Sequence, residues 1–306
     1  MSAKRIVIAG GSGFIGHALE RVFSDRKFEV VILTRTPRQR ADDVREIQWD
    51  GRHDGPWWEC LDGAEAVINL TGKNINCPHN PANLQAITAS RVNSVKALAA
   101  ALPQLAVPPR VWVQASATGF YGDTGDVACT ELAPAGRNLL AQICTHWEDA
   151  FTAVVAPQTR KVTLRIGFVL GRNGGALPVL SALTRRYLGG AAGSGRQYIS
   201  WIHLVDLVEM FVFAVHRQNL KGPLNAVAPH PVTNAEFMRE LRRALHRPWC
   251  PPAPAFAVRL GSALMKSEPS LALVSTRCLP EKFLELEFRY HFAQLHAALA
   301  DLCGKP

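Results

Sequence analysis

The feature that most constrains this chain is a glycine-rich turn close to its N-terminus. Gly10, Gly13 and Gly16 fit the pattern G-x-x-G-x-x-G and directly follow the apolar run Arg5–Ala9. Apolar residues then recur at helical spacing between Ile15 and Phe23, so the order is strand, tight turn, helix. In such a unit the glycines let the backbone approach a pyrophosphate, and the helix N-terminus faces its negative charge. The turn predicts a dinucleotide site; the alternative is an ordinary strand-to-helix turn.

The end of the next strand bears on which dinucleotide binds. The run Glu29–Thr34 is followed by Arg35, with Arg38 and Arg40 close behind. An acidic residue here would bind the ribose 2′-hydroxyl of NAD, and none is present. A guanidinium suits a 2′-phosphate because its planar donors match the phosphate oxygens. The strand end therefore predicts NADP(H); the alternative is a solvated arginine without a ligand.

Strand-like runs alternate with helical stretches along the first two thirds of the chain. The predicted strands are Arg5–Ala9, Glu29–Thr34, Glu46–Trp49, Ala66–Leu70, Arg110–Gln114, Lys161–Ile166 and Gly222–Ala228. This alternation predicts βαβ units and a parallel sheet, hence an α/β fold with a Rossmann-type doubly wound sheet. We expect an NADP-binding domain over residues 1–228 and a smaller C-terminal α/β substrate domain over 229–306. Residues 168–200 are expected to contribute to the substrate cleft.

Composition restricts the class of protein. A hydrophobic content of 48% and a charged content of 19% are typical of a folded globular protein. No apolar run reaches membrane-spanning length, and we expect no leader before the first strand. The seven cysteines are scattered without a C-x-x-C pair, which predicts reduced thiols, a cytoplasmic location and no metal site. The net charge of +9 comes without a long basic run, so we expect no nucleic-acid partner and no membrane.

One charged residue lies on an otherwise apolar helix face. The predicted helix 84–102 carries Arg91 in line with Leu84, Ile87, Val95 and Leu98. A buried, unpaired arginine is costly, so Arg91 should meet an anion. The two candidates are the cofactor phosphates and a carboxylate in an internal ion pair.

Several segments together resemble a known superfamily. They are Gly10–Gly16, Asn69–Gly72, Gln114–Gly122, Leu164–Gly167, Gly193–Tyr198 and Trp201–Asp206. In this order and spacing they are similar to the extended short-chain dehydrogenases/reductases, within the atypical NADP-linked epimerase branch. The segment from about Pro252 onward resembles the small C-terminal domain of unknown function of that branch. The resemblance covers nearly the whole chain.

The resemblance implies a set of cofactor-binding residues. Contacts to the pyrophosphate are implied for Gly10, Ser12, Gly13, Phe14, Ile15 and Gly16. The implied contacts to the rest of the cofactor are Thr34 and Arg35 at the 2′-phosphate, Leu70, Thr71 and Gly72 at its middle, Arg91, and Ser116 and Ala117 beside the nicotinamide. The chain departs from the branch at two places near the expected substrate pocket. Thr71-Gly72-Lys73 stands where the branch usually has Ala-Gly-Glu, and Pro78-His79 stands where it usually has Arg-Trp.

The usual catalytic pair of the superfamily is missing. No Tyr-x-x-x-Lys occurs in the chain, and on the predicted helix Asn138–Val155 the two positions align with Leu140 and Cys144. The periodicity favours a packed thiol at Cys144 over a reactive one. Ser116 and Tyr121 are the predicted proton-handling groups, while Asp206 is predicted to cap the helix that follows it.

Two functions are compatible with these residues. The first is an NADP(H)-dependent oxidoreductase or nucleotide-sugar-epimerase-like enzyme acting on an unknown small substrate, as a monomer or homodimer. The second is a non-catalytic NADPH-binding redox sensor. The missing phenol and lysine favour the sensor, whereas the glycine-rich loop 189–195 and the separate C-terminal domain favour the enzyme.

Overall fold

The strands found in the structure match the predicted alternation. The computed structural model describes residues 4–264 and 268–304. Its strands are β1 (Arg5–Ala9), β2 (Glu29–Thr34), β3 (Arg45–Gln48), β4 (Ala66–Asn69), β5 (Val111–Ala117), β6 (Ala128–Cys129), β7 (Arg160–Ile166), β8 (Phe168–Gly171), β9 (Gly174–Gly175), β10 (Tyr198–Ile199), β11 (Trp201–His203), β12 (Gly222–Ala226), β13 (Val232–Thr233) and β14 (Arg277–Cys278).

The helices pack around these strands. They are α1 (Phe14–Asp25), α2 (Pro81–Ala101), α3 (Leu139–Thr152), α4 (Leu177–Arg185), α5 (Leu204–His216), α6 (Asn234–Ala244), α7 (Ala255–Leu264), α8 (Ser270–Leu273), α9 (Glu281–Glu285) and α10 (Leu295–Cys303). Short 3-10 turns span Pro56–Leu61, Leu102–Gln104 and Thr118–Tyr121. Between residues 4 and 264 and between 268 and 304, no helix has the length and apolar character that crossing a bilayer requires.

The central sheet has seven parallel strands in the order β12-β7-β5-β4-β1-β2-β3. From β1 the chain builds outward through β2 and β3, and then returns to the other side of β1 with β4. The order therefore reverses between β1 and β4, where open α/β sheets bind ligands at the carboxyl ends of their strands. The predicted Rossmann-type doubly wound sheet is confirmed.

Alternating side chains on the strands form one core on each face of the sheet. Ile6 and Ile8 of β1 pack in a cluster with residues of α1, α5 and α10. Val7 and Ala9 point the other way and pack with residues of α2 and α3. Burying a large aliphatic side chain contributes about 1.5–3 kcal/mol, so these two clusters hold the helices to both faces.

Two helices begin where an asparagine supplies the first hydrogen bond. The Asn80 side chain accepts a bond from the backbone N–H of Asn83, and Pro81 opens α2. The Asn138 side chain accepts from the N–H of Ala141 at the start of α3. Because an N-cap satisfies an orphan donor, α2 starts three residues before the predicted Leu84.

The C-terminal segment packs on the same face as α1 and α5. Phe283, Leu295 and Leu299 are fully or almost fully buried in the cluster that contains Ile6. The predicted capping role of Asp206 is wrong, because α5 already begins at Leu204 with His203 as its N-cap. The Asp206 carboxylate instead accepts hydrogen bonds from the backbone N–H groups of residues 291 and 292. This carboxylate therefore ties the C-terminal segment to the sheet domain. The domain boundary at residue 228 stays a prediction.

Candidate functional site

The glycine turn joins β1 to α1 in a conformation that suits an anion. Gly10 has φ +74°, which favours glycine, and a Cβ at Gly16 would lie 2.0 Å from the carbonyl oxygen of Gly11. A Cβ at Gly13 would meet no atom within 4 Å, so this side of the turn is open. No side chain caps the start of α1, and no acidic residue lies in its first turn. The first N–H groups of α1 thus face the opening without a protein acceptor.

The carboxyl end of β4 lies directly beside this turn. Asn69 is fully buried and donates to Ser94 and Gln114, while its side-chain oxygen accepts from the N–H of Thr71. This arrangement holds Leu70, Thr71 and Gly72 against the glycines, since a Cβ at Gly10 would lie 2.9 Å from the Thr71 hydroxyl. That hydroxyl is buried and has no partner among the described residues. A ligand bound at the switch point could satisfy this hydroxyl.

The end of β2 lies on the opposite side of β1. The Thr34 hydroxyl donates to the Ser12 hydroxyl at 3.3 Å, which links β2 to the glycine turn. Arg40 is bound to carboxylates, with ion pairs to Glu20, Asp42 and Glu46. Arg35 is exposed and forms no ion pair with any carboxylate in the described part of the chain. The Arg35 and Arg38 side chains are thus both without a carboxylate partner among the described residues, and Arg35 is the one that directly follows β2.

Arg91 reaches the same edge from α2. Its guanidinium donates to the carbonyl oxygens of Lys73 and Ile87 and lies 5.0 Å from the ring of Trp147. A Cβ at Gly72 would lie 3.0 Å from the guanidinium carbon. Burial lowers the pKa of Arg91, and it has no carboxylate partner within residues 4–264 and 268–304. The predicted ion pair thus finds no carboxylate in the described part of the chain, and a contact between Arg91 and the cofactor phosphates stays a prediction.

The predicted catalytic Ser116 lies at the end of β5 and is almost fully buried. Its hydroxyl donates to the Glu148 carboxylate of α3 at 2.6 Å. Glu148 is in turn held by Arg165 of β7 through a bidentate pair of bonds, Nε to Oε1 at 3.0 Å and Nη2 to Oε2 at 2.8 Å, with a longer bond from Nε to Oε2 at 3.3 Å. Burial opposes the charge of Arg165, but its hydrogen bonds to Glu148 outweigh this and raise its pKa. The Ser116 hydroxyl uses its only hydrogen in this bond to Glu148. In this arrangement its oxygen can therefore only accept a hydrogen bond from a ligand.

The predicted catalytic Tyr121 belongs to the same buried network. Its hydroxyl donates to the Asn225 side-chain oxygen at 2.7 Å and accepts from Arg165 at 2.9 Å. The side chain is 3% exposed, and burial raises the pKa of the phenol despite the nearby arginine. Ser116 and Tyr121 are therefore brought together through Arg165. Loss of a proton from Tyr121 is harder here than in water. The proton-handling role of both residues stays a prediction.

Leu140 and Cys144 occupy the places of the missing phenol and lysine. A Cβ at Gly119 would lie 3.6 Å from the Cβ of Leu140 and 3.7 Å from the sulfur of Cys144. The turn after β5 therefore packs directly on this part of α3. Burial raises the pKa of Cys144 to about 12, so the thiol stays protonated near neutral pH. The predicted packed thiol agrees with this environment.

Thr118 is a hydroxyl that the sequence reasoning did not select. It opens the 3-10 turn immediately after Ala117, at the carboxyl end of β5, and is 8% exposed. Its hydroxyl makes no hydrogen bond to any residue that the structure describes, in contrast to Ser116 and Tyr121. The sequence signal for this residue is its position directly after the apolar run that forms β5.

Three loops and the C-terminal segment meet beyond this edge. His79, in the loop after β4, lies 3.6 Å from the Glu268 carboxylate. Gln197 donates to the carbonyl oxygens of Ala192 and Ala272, both at 2.9 Å. Ser275 donates to the carbonyl oxygen of Gly125 at 2.6 Å. Segments that are far apart in sequence therefore surround one side of the carboxyl edge, as a substrate cleft requires.

Comparison with known proteins places the chain in a family. The model of the NAD dependent epimerase/dehydratase family matches residues 6–226, and a domain of unknown function, DUF1731, matches residues 253–302. An epimerase family protein of Mycobacterium leprae is 34% identical over 98% of this chain and 96% of its own length. The mouse epimerase family protein SDR39U1 is 33% identical over 97% of this chain and 99% of its own.

Solved structures agree with the sequence comparison. Human epimerase family protein SDR39U1, solved with NADPH, superimposes with a TM-score of 0.85 at 29% identity and covers 98% of this chain and 99% of that one. A nucleoside-diphosphate sugar epimerase of Corynebacterium glutamicum gives a TM-score of 0.79 at 30% identity, over 99% of this chain and 59% of that one. With the switch-point site and the two matched domains in the predicted order, the resemblance is confirmed: the chain belongs to the NAD dependent epimerase/dehydratase family.

Proposed function

We propose that the protein is an NADP(H)-dependent oxidoreductase or epimerase-like enzyme that acts on a small substrate. The observation that carries the proposal is the meeting of three features at the switch point. These are the open glycine turn with an uncapped helix, the Thr71 hydroxyl, which has no hydrogen-bonding partner among the described residues, and Arg35 and Arg91, which have no carboxylate partner among them. When bound, NADP(H) supplies the hydride chemistry, while the protein binds and orients it.

The two arginines suit opposite halves of one cofactor. Arg35 follows β2, whereas Arg91 lies against Gly72 after β4, and these strands flank β1 on either side. Adjacent strands are about 4.8 Å apart, so β2 and β4 are separated by roughly 10 Å. An extended dinucleotide spans this distance. Arg35 would hold the adenosine 2′-phosphate, and Arg91 would act on the half toward β5. The NADPH in the human relative supports the same choice of cofactor.

The role of Arg91 predicts a specific response to mutation. Arg91→Met keeps an apolar stem over Trp147 but removes the charge. One charge-assisted contact is worth roughly 1.5–3 kcal/mol, so NADPH affinity should fall about tenfold to a hundredfold. The free energy of unfolding without NADPH should change by less than about 1 kcal/mol, because the loss of two hydrogen bonds to carbonyl oxygens is offset by the removal of a buried charge.

Melting curves with and without NADPH check this prediction. Lys96→Met is the matched control, because Lys96 is exposed on the same helix. The control should leave both curves unchanged. A marked loss of stability of Arg91→Met without NADPH, with unchanged NADPH affinity, would contradict a cofactor-binding role.

The catalytic prediction concerns rate. General acid–base catalysis usually raises the rate of a reaction by about 10²–10⁴-fold. In this chain α3 has Leu140 and Cys144 at the positions where the superfamily has the tyrosine and the lysine that provide it. We therefore expect slow NADPH oxidation on ordinary aldehydes, ketones and sugars. Any turnover should depend on hydroxyls at the end of β5, so Thr118→Val and Ser116→Ala should each lower it by at least tenfold, with NADPH affinity retained.

The rate of NADPH oxidation is measured by absorbance on a panel of carbonyl compounds for the variants of Thr118, Ser116 and Tyr121. Tyr121→Phe should lower stability as well as rate, because it removes a buried bond to Asn225. Brisk turnover that survives all three substitutions would overturn the assignment of the catalytic groups. The proposal of an oxidoreductase fails if no carbonyl is reduced although NADPH binds tightly; an epimerase, which regenerates its cofactor, would have to be detected by conversion of the sugar instead.

A second candidate function is a non-catalytic NADPH-dependent sensor. Two observations favour it. Leu140 and Cys144 pack against Gly119, and the hydroxyls of Ser116 and Tyr121 donate hydrogen bonds to Glu148 and Asn225. Absence of turnover together with NADPH-dependent binding of another protein would support it. Under either function we propose a small-molecule or protein partner rather than nucleic acid, a cytoplasmic location, and a monomer or homodimer.

A further inference from the structure

Much of the positive charge of the chain lies in two stretches that the cofactor site does not use. Residues 177–205 contain three arginines and residues 241–267 contain four arginines and one lysine, and neither stretch contains an aspartate or a glutamate. The net charge of the whole chain is +9, so these eight cations account for most of the excess. The candidate cofactor site at the switch point is built from other residues, so it does not account for these cations.

The structure joins the two stretches into one surface. Arg242 donates to the carbonyl oxygen of Gly189 at 2.6 Å. Gly190 lies against Pro251, since a Cβ at Gly190 would be 1.8 Å from the Pro251 carbonyl oxygen. Ala192 forms a bridge with Ala253, and α7 follows within two residues. We call residues 185–192 and 242–260 the basic face.

The charges of the basic face are largely uncompensated. Five of its arginines form no ion pair with any carboxylate in the ranges 4–264 and 268–304: Arg185, Arg186, Arg242, Arg247 and Arg259. Arg247 instead lies 5.3 Å from the ring of Tyr187, and Arg243 shares Glu240 with Arg239. The basic face therefore carries a positive field that is available to an anionic partner.

The same face exposes large apolar side chains. Their exposed fractions are Tyr187 58%, Leu188 64%, Trp249 74%, Phe256 72% and Leu260 62%. Phe256 and Leu260 are four residues apart on α7 and therefore share one side of the helix, with exposed Arg259 next to them. Exposed apolar residues that cluster within a charged surface indicate an interaction site, whereas single ones need no explanation.

We propose that the basic face docks on an anionic lipid bilayer. Peripheral membrane binding has two components. Arginines attract the anionic lipid headgroups, and tryptophan, phenylalanine and leucine side chains enter the membrane interface. A nucleic acid would use the arginines and could stack on Trp249, but it offers no apolar phase for Leu188 and Leu260. Docking of this kind needs no membrane-spanning helix. It revises the sequence-based expectation of no membrane and does not depend on the proposed function.

Vesicle co-sedimentation of the full-length protein tests the proposal. The vesicles are phosphatidylcholine alone or phosphatidylcholine with about one third phosphatidylserine. We expect binding to the anionic vesicles, weak binding to the neutral ones, and loss of binding as salt rises. An arginine near an anionic surface contributes about fivefold in affinity, so Arg185→Gln with Arg186→Gln should weaken binding roughly thirtyfold. The emission of exposed Trp249 should shift to the blue on the anionic vesicles, and a Trp249→Phe variant should lose that shift.

Matched variants separate lipid docking from other partners. Phe256→Ser with Leu260→Ser should weaken vesicle binding, whereas Val155→Ser, at a position 88% exposed and outside the basic face, should not. Arg21→Gln is the charge control, and melting temperatures check that each variant folds. No binding to anionic vesicles at low salt would overturn the proposal. Binding of heparin or RNA that ignores the Phe256 and Leu260 substitutions, with no vesicle binding, would assign the face to a polyanion instead.

Discussion

Replacing Arg165 with methionine should lower the free energy of unfolding by about 3–5 kcal/mol. The substitution leaves the Glu148 carboxylate in the interior without its two hydrogen bonds from the guanidinium, and an unpaired buried charge is strongly destabilising. It also removes the bond from Arg165 to the Tyr121 hydroxyl. Urea denaturation near neutral pH, followed by circular dichroism, measures the loss.

A double variant shows whether the lost stability comes from the stranded carboxylate. Arg165→Met with Glu148→Leu removes both charges, and replacing both partners of a buried pair by apolar groups is often close to neutral. We therefore expect the double variant to be more stable than Arg165→Met alone. If the single variant loses less than about 1 kcal/mol, or if the double variant is the less stable of the two, the buried pair does not organise the end of β5 as described.

Replacing Arg35 with aspartate should reverse the preference between the two nicotinamide cofactors. The wild-type protein should bind NADPH about tenfold to a hundredfold more tightly than NADH, because one charge-assisted contact contributes roughly 1.5–3 kcal/mol. Aspartate removes that contact, repels the 2′-phosphate and offers an acceptor to the ribose hydroxyls of NADH. Isothermal titration calorimetry with both nucleotides measures the four affinities.

Arg38→Asp is the matched control for this change. It alters the charge equally three residues away, and the Arg38 side chain likewise has no carboxylate partner among the residues described. If Arg38→Asp has the same effect on NADPH as Arg35→Asp, the preference comes from the general field and not from a contact at Arg35. Equal affinities of the wild-type protein for NADPH and NADH would reject the assignment of Arg35.

The sheet and the cofactor turn could be predicted because their signals are local. Each central strand is a short apolar run, and the turn carries Gly10 and Gly16 where a positive φ and a close backbone contact require glycine. The strand ends therefore identify Thr34, Arg35 and Leu70–Gly72 as candidate cofactor contacts before any coordinates are known.

The polar contacts around the substrate side could not be predicted because their partners are distant in sequence. Tyr121 is paired with Asn225, 104 residues later, and Asp206 with the backbone of residues 291 and 292, some 85 residues later. No local pattern distinguishes a buried phenol with two partners from one that faces a substrate. For the same reason the sequence does not reveal that the Ser116 hydroxyl donates to Glu148, 32 residues later.

A crystal structure of the protein with NADPH tests the central claim most directly. We expect the pyrophosphate over Gly10–Gly16 at the start of α1 and the adenosine 2′-phosphate within hydrogen-bond distance of the Arg35 guanidinium. Arg91 should contact the half of the cofactor that lies toward β5. Two results would contradict the account. In the first, the nucleotide binds elsewhere; in the second, it binds in the cleft but its 2′-phosphate points away from Arg35 and Arg91 contacts only protein.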